Sequence, residues 1–368
     1  MNLNKIKRLD KGIIIYTLIL LIIGLVALYS ATNGTDHQEF KKQIIWILIG
    51  IPVFLFFVFV DYRIISRFSP ILYGTSIVLL GFVLLTGKIN GASSWFNIGG
   101  FSLQPGEFAK IMVVLFLANT MSNTVNTKGK QINQPLVLLK LVAIVLFPVV
   151  LIALEPDFGT AMAYAFALVF MLYVAGIDKR YIIVGITLVV ILVPLLYFFV
   201  LPEHAKARID VYLNPYLDPR GDGYNIIQSK IAIGAGGLLG LGFLKGTQTH
   251  LGYLYPKSTD FIFSVIGEEF GFILCSIIVI IYVLLINRCI IIGKTASDDL
   301  GSYIALGLCG ILFFHVLENI GMTIGLLPIT GVPLPFVSYG GSSMLTNMML
   351  IGLIINIGLH RSKSIFTN

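Results

Sequence analysis

IIIYTLILLIIGLVALYSA, residues 13–31, decides the fold. Nineteen residues pass without a charge, close to the ~20 that an α-helix needs to cross the hydrocarbon core of a bilayer. Lys5, Lys7, Arg8 and Lys11 precede the run, as in a signal peptide, but Tyr29-Ser30-Ala31 lacks a small–x–small cleavage pattern. The run therefore reads as an uncleaved first span. Similar apolar runs follow at 44–60, 70–86, 105–121, 136–153, 158–176, 181–201, 261–286, 303–325 and 337–359. The expectation is an all-α polytopic membrane protein of about ten transmembrane helices, one membrane domain over residues 1–368.

Composition points the same way. Of 368 residues, 57% are hydrophobic and 12% charged, and the mean hydropathy is +0.93. Soluble chains carry roughly 25% charged residues, so much of this surface must face lipid. The net charge of +7 comes from short basic clusters between apolar runs, with no basic stripe interleaved with aromatics. That pattern sets membrane orientation and excludes nucleic acid as a partner. Cys275, Cys289 and Cys309 lie in or beside apolar runs without a C-x-x-C pair. They read as small buried hydrophobes, not as a disulfide framework or thiolate metal site.

Orientation follows from Lys and Arg in the short loops. Fourteen fall on the side of the N-terminus, among them Arg63, Arg67, Lys179, Arg180, Arg288 and Arg361; only Lys41, Lys42 and Lys88 fall on the other. Both termini are thus expected in the cytoplasm, with the long loop 202–260 outside. Proline and glycine cluster at 87–106, 214–256 and 325–341, all on that outer side. Irregular backbone survives at membrane depth only when buried in protein or lining a wet cavity, so the outer half is where a site is expected.

Ionisable residues near the spans gather there too, and each is a functional hypothesis by default. Glu107 and Lys110, three apart, share one helix face, either as a structural ion pair or as a polar cavity wall. Glu155-Pro156-Asp157 forms an outer turn, where Asp157 is expected to cap the following helix. Gly234, Gly236, Gly237, Gly240, Gly242 and Gly246 are too dense for a normal helix and suggest tight turns or close backbone approach. No G-K-[ST] ending follows them, so a phosphate loop is weakly indicated. Asp260 stands where the outer loop re-enters the membrane. It reads as a general base of raised pKa or as the N-cap of the eighth span. Glu268 and Glu269 lie about two turns deeper; they are expected to hold helices together, with one of them facing the cavity as the alternative. His315 and Glu318 read as interhelical hydrogen-bonding partners, too few for a metal site. Ser338-Tyr339-Gly340-Gly341-Ser342 opens the last span, and its amides either hold an anion such as pyrophosphate or pack closely as small residues.

Together these segments resemble the shape, elongation, division and sporulation family, and its RodA-like branch in particular. The resemblance is carried by Asn319 to Met322 and by Leu327-Pro328 through Thr330-Gly331, Pro333, Pro335, Ser338 and Gly340 to Ser343. Supporting stretches are Gly91-Ala92 to Trp95-Phe96, Gln104 to Lys110, Glu155 to Thr160, Gln228-Ser229, Gly246-Thr247-Gln248, and Thr259 to Phe263 with Glu268-Glu269. It implies a peptidoglycan glycosyltransferase that joins lipid II units at the outer leaflet and releases undecaprenyl pyrophosphate. It implies that Asp260 is the essential catalytic residue and that Trp95, Glu107 and Lys110 matter for function. It also implies partnership with a class B penicillin-binding protein, a transpeptidase, and with other elongation-complex proteins. One stretch departs: Leu254-Tyr255-Pro256-Lys257-Ser258 stands where the family has Leu-Pro-Glu-x-His, so no shared role is expected of the lost acidic and histidine positions.

The chemistry expected is proton removal by Asp260 from a sugar 4-hydroxyl, with the pyrophosphate charge steadied by Lys110, Arg208, Arg220 or a divalent cation (Mg or Mn). Gln228 and Ser229 are counted with the substrate-binding residues. Two alternatives stay open: a carrier that moves lipid II across the membrane, and a scaffold that only recruits a transpeptidase.

Overall fold

The computed structural model describes residues 9–34, 36–85, 96–98, 101–125, 131–199, 206, 210–221 and 223–361. The chain is a mostly helical, polytopic membrane protein. Its helices are α1 (Lys11–Ala31), α2 (Gln38–Phe59), α3 (Tyr62–Arg67), α4 (Ser69–Val83), α5 (Pro105–Val125), α6 (Pro135–Leu154), α7 (Phe158–Val174) and α8 (Lys179–Phe199). Then come α9 (Tyr224–Gly236), α10 (Thr247–His250), α11 (Ile262–Lys294), α12 (Asp299–Thr323) and α13 (Gly341–Leu359). Within the described residues each of the ten apolar runs overlaps a helix. Among the described residues, α1, α2, α6, α11, α12 and α13 are long and apolar enough to cross a membrane.

The core forms around α12, which packs on α5, α7, α11 and α13. Gly310 lets it approach α7 closely, since a Cβ there would lie 2.8 Å from the Phe166 carbonyl oxygen. Small residues at helix contacts supply the packing that lipid cannot drive hydrophobically. On α8, described side chains such as Ile183, Ile186, Val190 and Phe198 are exposed, as an outer face turned to lipid requires. All three cysteines are buried and unpaired with one another as disulfides.

One end of the bundle is tied by charge. The Tyr62 hydroxyl and Arg63 both bond Asp298, Arg63 Nη2 at 2.8 Å, and Arg288 and Arg361 approach Asp10. The opposite end holds the starts of α5, α7, α11 and α13. A short antiparallel hairpin, β1 (Phe96–Ile98) and β2 (Phe101–Leu103), leads into α5 there. Three-residue strands carry too little alternation to be legible beforehand.

Two expectations need correction. The glycine run does not wholly exclude helix, because Gly234 and Gly236 belong to α9. Gly236 is required there by packing, as a Cβ would strike the carbonyl of Gly267. The segment 202–260 is also no plain loop, since it contains α9 and α10, and α9 packs along α11. Past α9 the chain enters a break in α11 at Gly271, whose φ of 73° and ψ of −171° only glycine adopts readily. The amides of Phe272 and Ile273 donate to the carbonyls of Gly237 and Leu238, and the amides of Leu241 and Gly242 donate to those of Glu268 and Glu269. The break therefore leaves these backbone groups paired, as a low-dielectric setting demands.

Candidate active site

A cavity of about 310 Å³ opens at the hairpin end of the bundle. Its wall is built from four stretches remote in sequence. Gln104 and Glu107 come from the start of α5, Pro156, Asp157 and Thr160 from the turn into α7, and Thr259 and Asp260 from the turn into α11. Thr330, Gly331, Pro333, Tyr339, Gly340, Ser342 and Ser343 come from the α12–α13 link. Helix starts and proline-broken links are where a membrane chain has polar backbone and side chains to spare for a wet cavity.

Asp260 is half-buried and on the cavity wall. Burial pushes its carboxyl up to about 6, against the opposing effect of a hydrogen bond from Thr259. It does not cap α11: Phe261 holds the cap position, and no side chain bonds the free amides there. The carboxylate is thus left over for chemistry. Its turn is pinned through three successive carbonyls. Ser258 O accepts from the Tyr339 amide (2.9 Å), Thr259 O from Ser338 Oγ (2.6 Å), and Asp260 O from Asn319 Nδ2 (2.9 Å).

Asp157 both caps and joins. Its Oδ1 accepts from the Thr160 amide at 3.0 Å and its Oδ2 from Gln104 Nε2 at 2.6 Å, linking α7 to the start of α5. Burial first of all raises its pKa, and the bonds from Thr160 oppose this. Glu155 is buried beside it in the turn.

Glu107 reaches the cavity, but Lys110 does not. The Lys110 ammonium is fully buried, 2.7 Å from Glu107 Oε1 and 2.8 Å from His315 Nε2. Lysine has no acceptor, so His315 Nε2 accepts and its Nδ1–H points at the Pro333 carbonyl, 3.4 Å away. Glu318 accepts from the Thr330 hydroxyl at 2.8 Å, beneath the wall.

Several expected site residues stand off the cavity wall or are engaged in packing. Ser229 is buried and bonds Ser264 Oγ (2.7 Å) and the Thr323 carbonyl (2.6 Å), tying α9 to α11 and α12. Gln228 is half-exposed on α9 and off the cavity wall. Arg220 is exposed in the turn before α9 and does not line the cavity. Ser338 spends its hydroxyl on Thr259 O and the Leu334 amide. Gly341 is set by packing, since a Cβ would collide with the Trp46 ring. Gly340 and Ser342 do line the cavity, although the Gly340 amide is spoken for by Gln43 Oε1 at 3.2 Å. Glu268 accepts from the amides of Gln248 and Thr249 and the hydroxyls of Thr247 and Thr249, fixing α10 on α11. Glu269 bonds Ser30 and His250. Trp95 and Arg208 lie outside the described residues. Among the described residues no three His, Cys, Asp or Glu side chains are grouped to hold a metal.

Sequence reasoning gave no individual role to Gln43, Gln104 or Asn319, and read Tyr339 only as part of the stretch that opens the last span. Gln43 and Asn319 carried a signal, as uncharged amides at the edge of or inside apolar runs, where an unpaired polar group is expensive.

The chain matches the family described as Cell cycle protein, comprising FtsW, RodA and SpoVE, over residues 11–363. It is 38% identical to peptidoglycan glycosyltransferase MrdB of Escherichia coli K12, over 97% of this chain and 96% of that protein. Its fold superposes with TM-score 0.85 on a chain of a peptidoglycan synthase complex that coordinates polymerization and crosslinking, 28% identical and covering 97% and 99% of the two chains. Rod shape determining protein RodA of Thermus thermophilus gives TM-score 0.71 at 27% identity, over 97% and 98%. With these likenesses across nearly its whole length, the chain belongs to the FtsW/RodA/SpoVE family.

Proposed function

We propose that the cavity around Asp260 is where this chain joins lipid-linked sugars. The chain is a peptidoglycan glycosyltransferase of the membrane-embedded, cell-shape and division type. The observation that carries the catalytic reading is a desolvated carboxylate, unused as a helix cap, on the wall of a polar cavity at the end of the bundle.

In this reading Asp260 takes the proton from the 4-hydroxyl of an acceptor sugar. The freed oxygen attacks the donor's anomeric carbon, and the bond to phosphate breaks with its electron pair leaving on undecaprenyl pyrophosphate. Attack opposite an α-linked leaving group gives a β-linkage. Pyrophosphate leaves readily, so no second carboxylic acid is required. A carboxyl with pKa near 6 is matched to proton removal close to neutral pH. The amino end of α13, where Ser342 and Ser343 line the cavity, favours the negative charge that develops on the leaving group. Lys110 acts instead by holding Glu107, since its own ammonium is enclosed.

The substrate is lipid II, taken from the outer leaflet of the bacterial cytoplasmic membrane by a chain of ten spans with both termini inside. Arg63, Arg288 and Arg361 at the end opposite the cavity support that orientation. A class B penicillin-binding protein crosslinks the product alongside it, in company with other elongation-complex proteins.

The test is incubation of purified chain with labelled lipid II, with products separated by length. Polymer longer than the dimer, with undecaprenyl pyrophosphate released, is expected. Translocation of lipid II across sealed vesicles without any polymer would favour a carrier instead.

A further inference from the structure

We infer that Asn319 is a positioning residue for the base: it fixes the turn that carries Asp260 against the adjoining α12–α13 link of the cavity wall. This rests on the reading of Asp260 given above and extends it to a residue 59 positions away.

Asn319 lies on α12 with no exposed surface. Its Nδ2 donates to two carbonyls, that of Asp260 at 2.9 Å and that of Val332 at 2.8 Å. The amide has only one workable orientation, because the reverse would set its oxygen against both carbonyls. Both carbonyls are thus held by one side chain that is itself enclosed in the helix packing.

The two carbonyls belong to different walls. Val332 sits between Gly331 and Pro333, both on the cavity wall. Gly331 has φ of +72°, and a Cβ there would stand 3.4 Å from Asp260 Oδ2. The bare backbone of Gly331 thus faces the carboxylate, and the Asn319 amide holds the two segments in register. Ser338 repeats the device one residue earlier through Thr259 O. A base misplaced by about 1 Å loses roughly 100-fold in rate, so two clamps on adjacent carbonyls act on the quantity to which proton transfer is most sensitive.

The test is steady-state lipid II polymerisation by full-length Asn319→Leu against wild type across pH 4.5–8.5. Thermal unfolding checks that the variant is folded. Leucine fills similar volume and removes both donors. The expected result is kcat roughly 10- to 100-fold lower with KM changed less than about twofold. The acidic limb of the profile also moves down by about one pH unit, as the released turn lets water reach Asp260. Among the described residues, the other titratable groups around the cavity are Glu107, Asp157 and Tyr339, with Glu318 beneath Thr330, and Lys110 and His315 behind Glu107. The Asn319 amide hydrogen-bonds the backbone carbonyls of Asp260 and Val332 and not the side chains of these groups.

A purely structural loss would lower activity equally at every pH and leave the limb where it is. That outcome, or an unchanged kcat, overturns the inference. If Asn319→Leu does not yield folded protein, Ser338→Ala carries the same expected profile and the same contradiction. Full activity in Asp260→Ala would instead remove the catalytic reading itself. A wild-type profile for Asn319→Leu beside an inactive Asp260→Ala removes only the positioning role.

Discussion

Lys110 Nζ lies 2.8 Å from His315 Nε2, and neither residue lines the cavity that holds Asp260. A lysine that from spacing alone could serve the substrate is turned inward, where it joins α5 to α12.

This geometry makes Lys110 a stability residue first. Truncation to Ala leaves Glu107 as a buried carboxylate without its cation, a change that typically costs about 3–5 kcal/mol. Thermal unfolding of Lys110→Ala in detergent should show a clear loss. The double variant Glu107→Gln with Lys110→Met should regain a large part of it, since both charges go together. Equal loss in single and double variants would mean that the pair contributes nothing as a pair.

The break in α11 predicts a sharp contrast between glycines. Gly271→Ala forces a side chain into the Gly-only region, at about 1–3 kcal/mol for the backbone alone. It also drives a Cβ to 2.4 Å from the Gly240 amide nitrogen. Folded yield should collapse. Gly185→Ala on α8 meets nothing within 4 Å and should be neutral or gain about 0.5–1 kcal/mol. Fluorescence-detected size exclusion of the two variants side by side distinguishes them.

The carboxyl of Asp260 near 6 has two consequences of opposite sign. Activity needs it unprotonated, so the rate should fall as pH drops through about 6, two units above an ordinary aspartate. Stability runs the other way. Burial disfavours the ion, so the folded state holds the proton more tightly than the unfolded state, and stability should rise as pH falls from about 6 toward 4. At pH 7 the isosteric Asp260→Asn should therefore be more stable than wild type, by on the order of 2 kcal/mol. Polymerisation rates and melting curves measured together at pH 5 and pH 7.5 check both signs.

Much of the fold was legible because the lipid solvent imposes a simple rule. Long apolar runs such as 13–31 and 303–325 are the helices α1 (Lys11–Ala31) and α12 (Asp299–Thr323), with small shifts at the ends. Proline and glycine clusters pointed to the end that holds the cavity, and Asp157 could be read as a cap from its place before Phe158-Gly159-Thr160. What spacing could not give was pairing across distance. Glu107 and Lys110 share a face by periodicity, but only His315, on another helix, decides that Lys110 turns inward. Ser229 and Ser338 looked like substrate contacts because small polar residues serve both purposes, and the carbonyls of Thr323 and Thr259 that occupy them are remote in sequence. Asn319 was visible only as part of a motif, and its role needed Asp260 and Val332 in place.

The central claim is that one carboxylate deprotonates the acceptor sugar. Asp260→Asn keeps the shape of the side chain and removes only its basicity, so the most direct measurement is lipid II polymerisation by this variant, purified and shown to be folded. No detectable glycan polymer beside an active wild-type control is the predicted result. Strands of wild-type length formed at wild-type rate would contradict it.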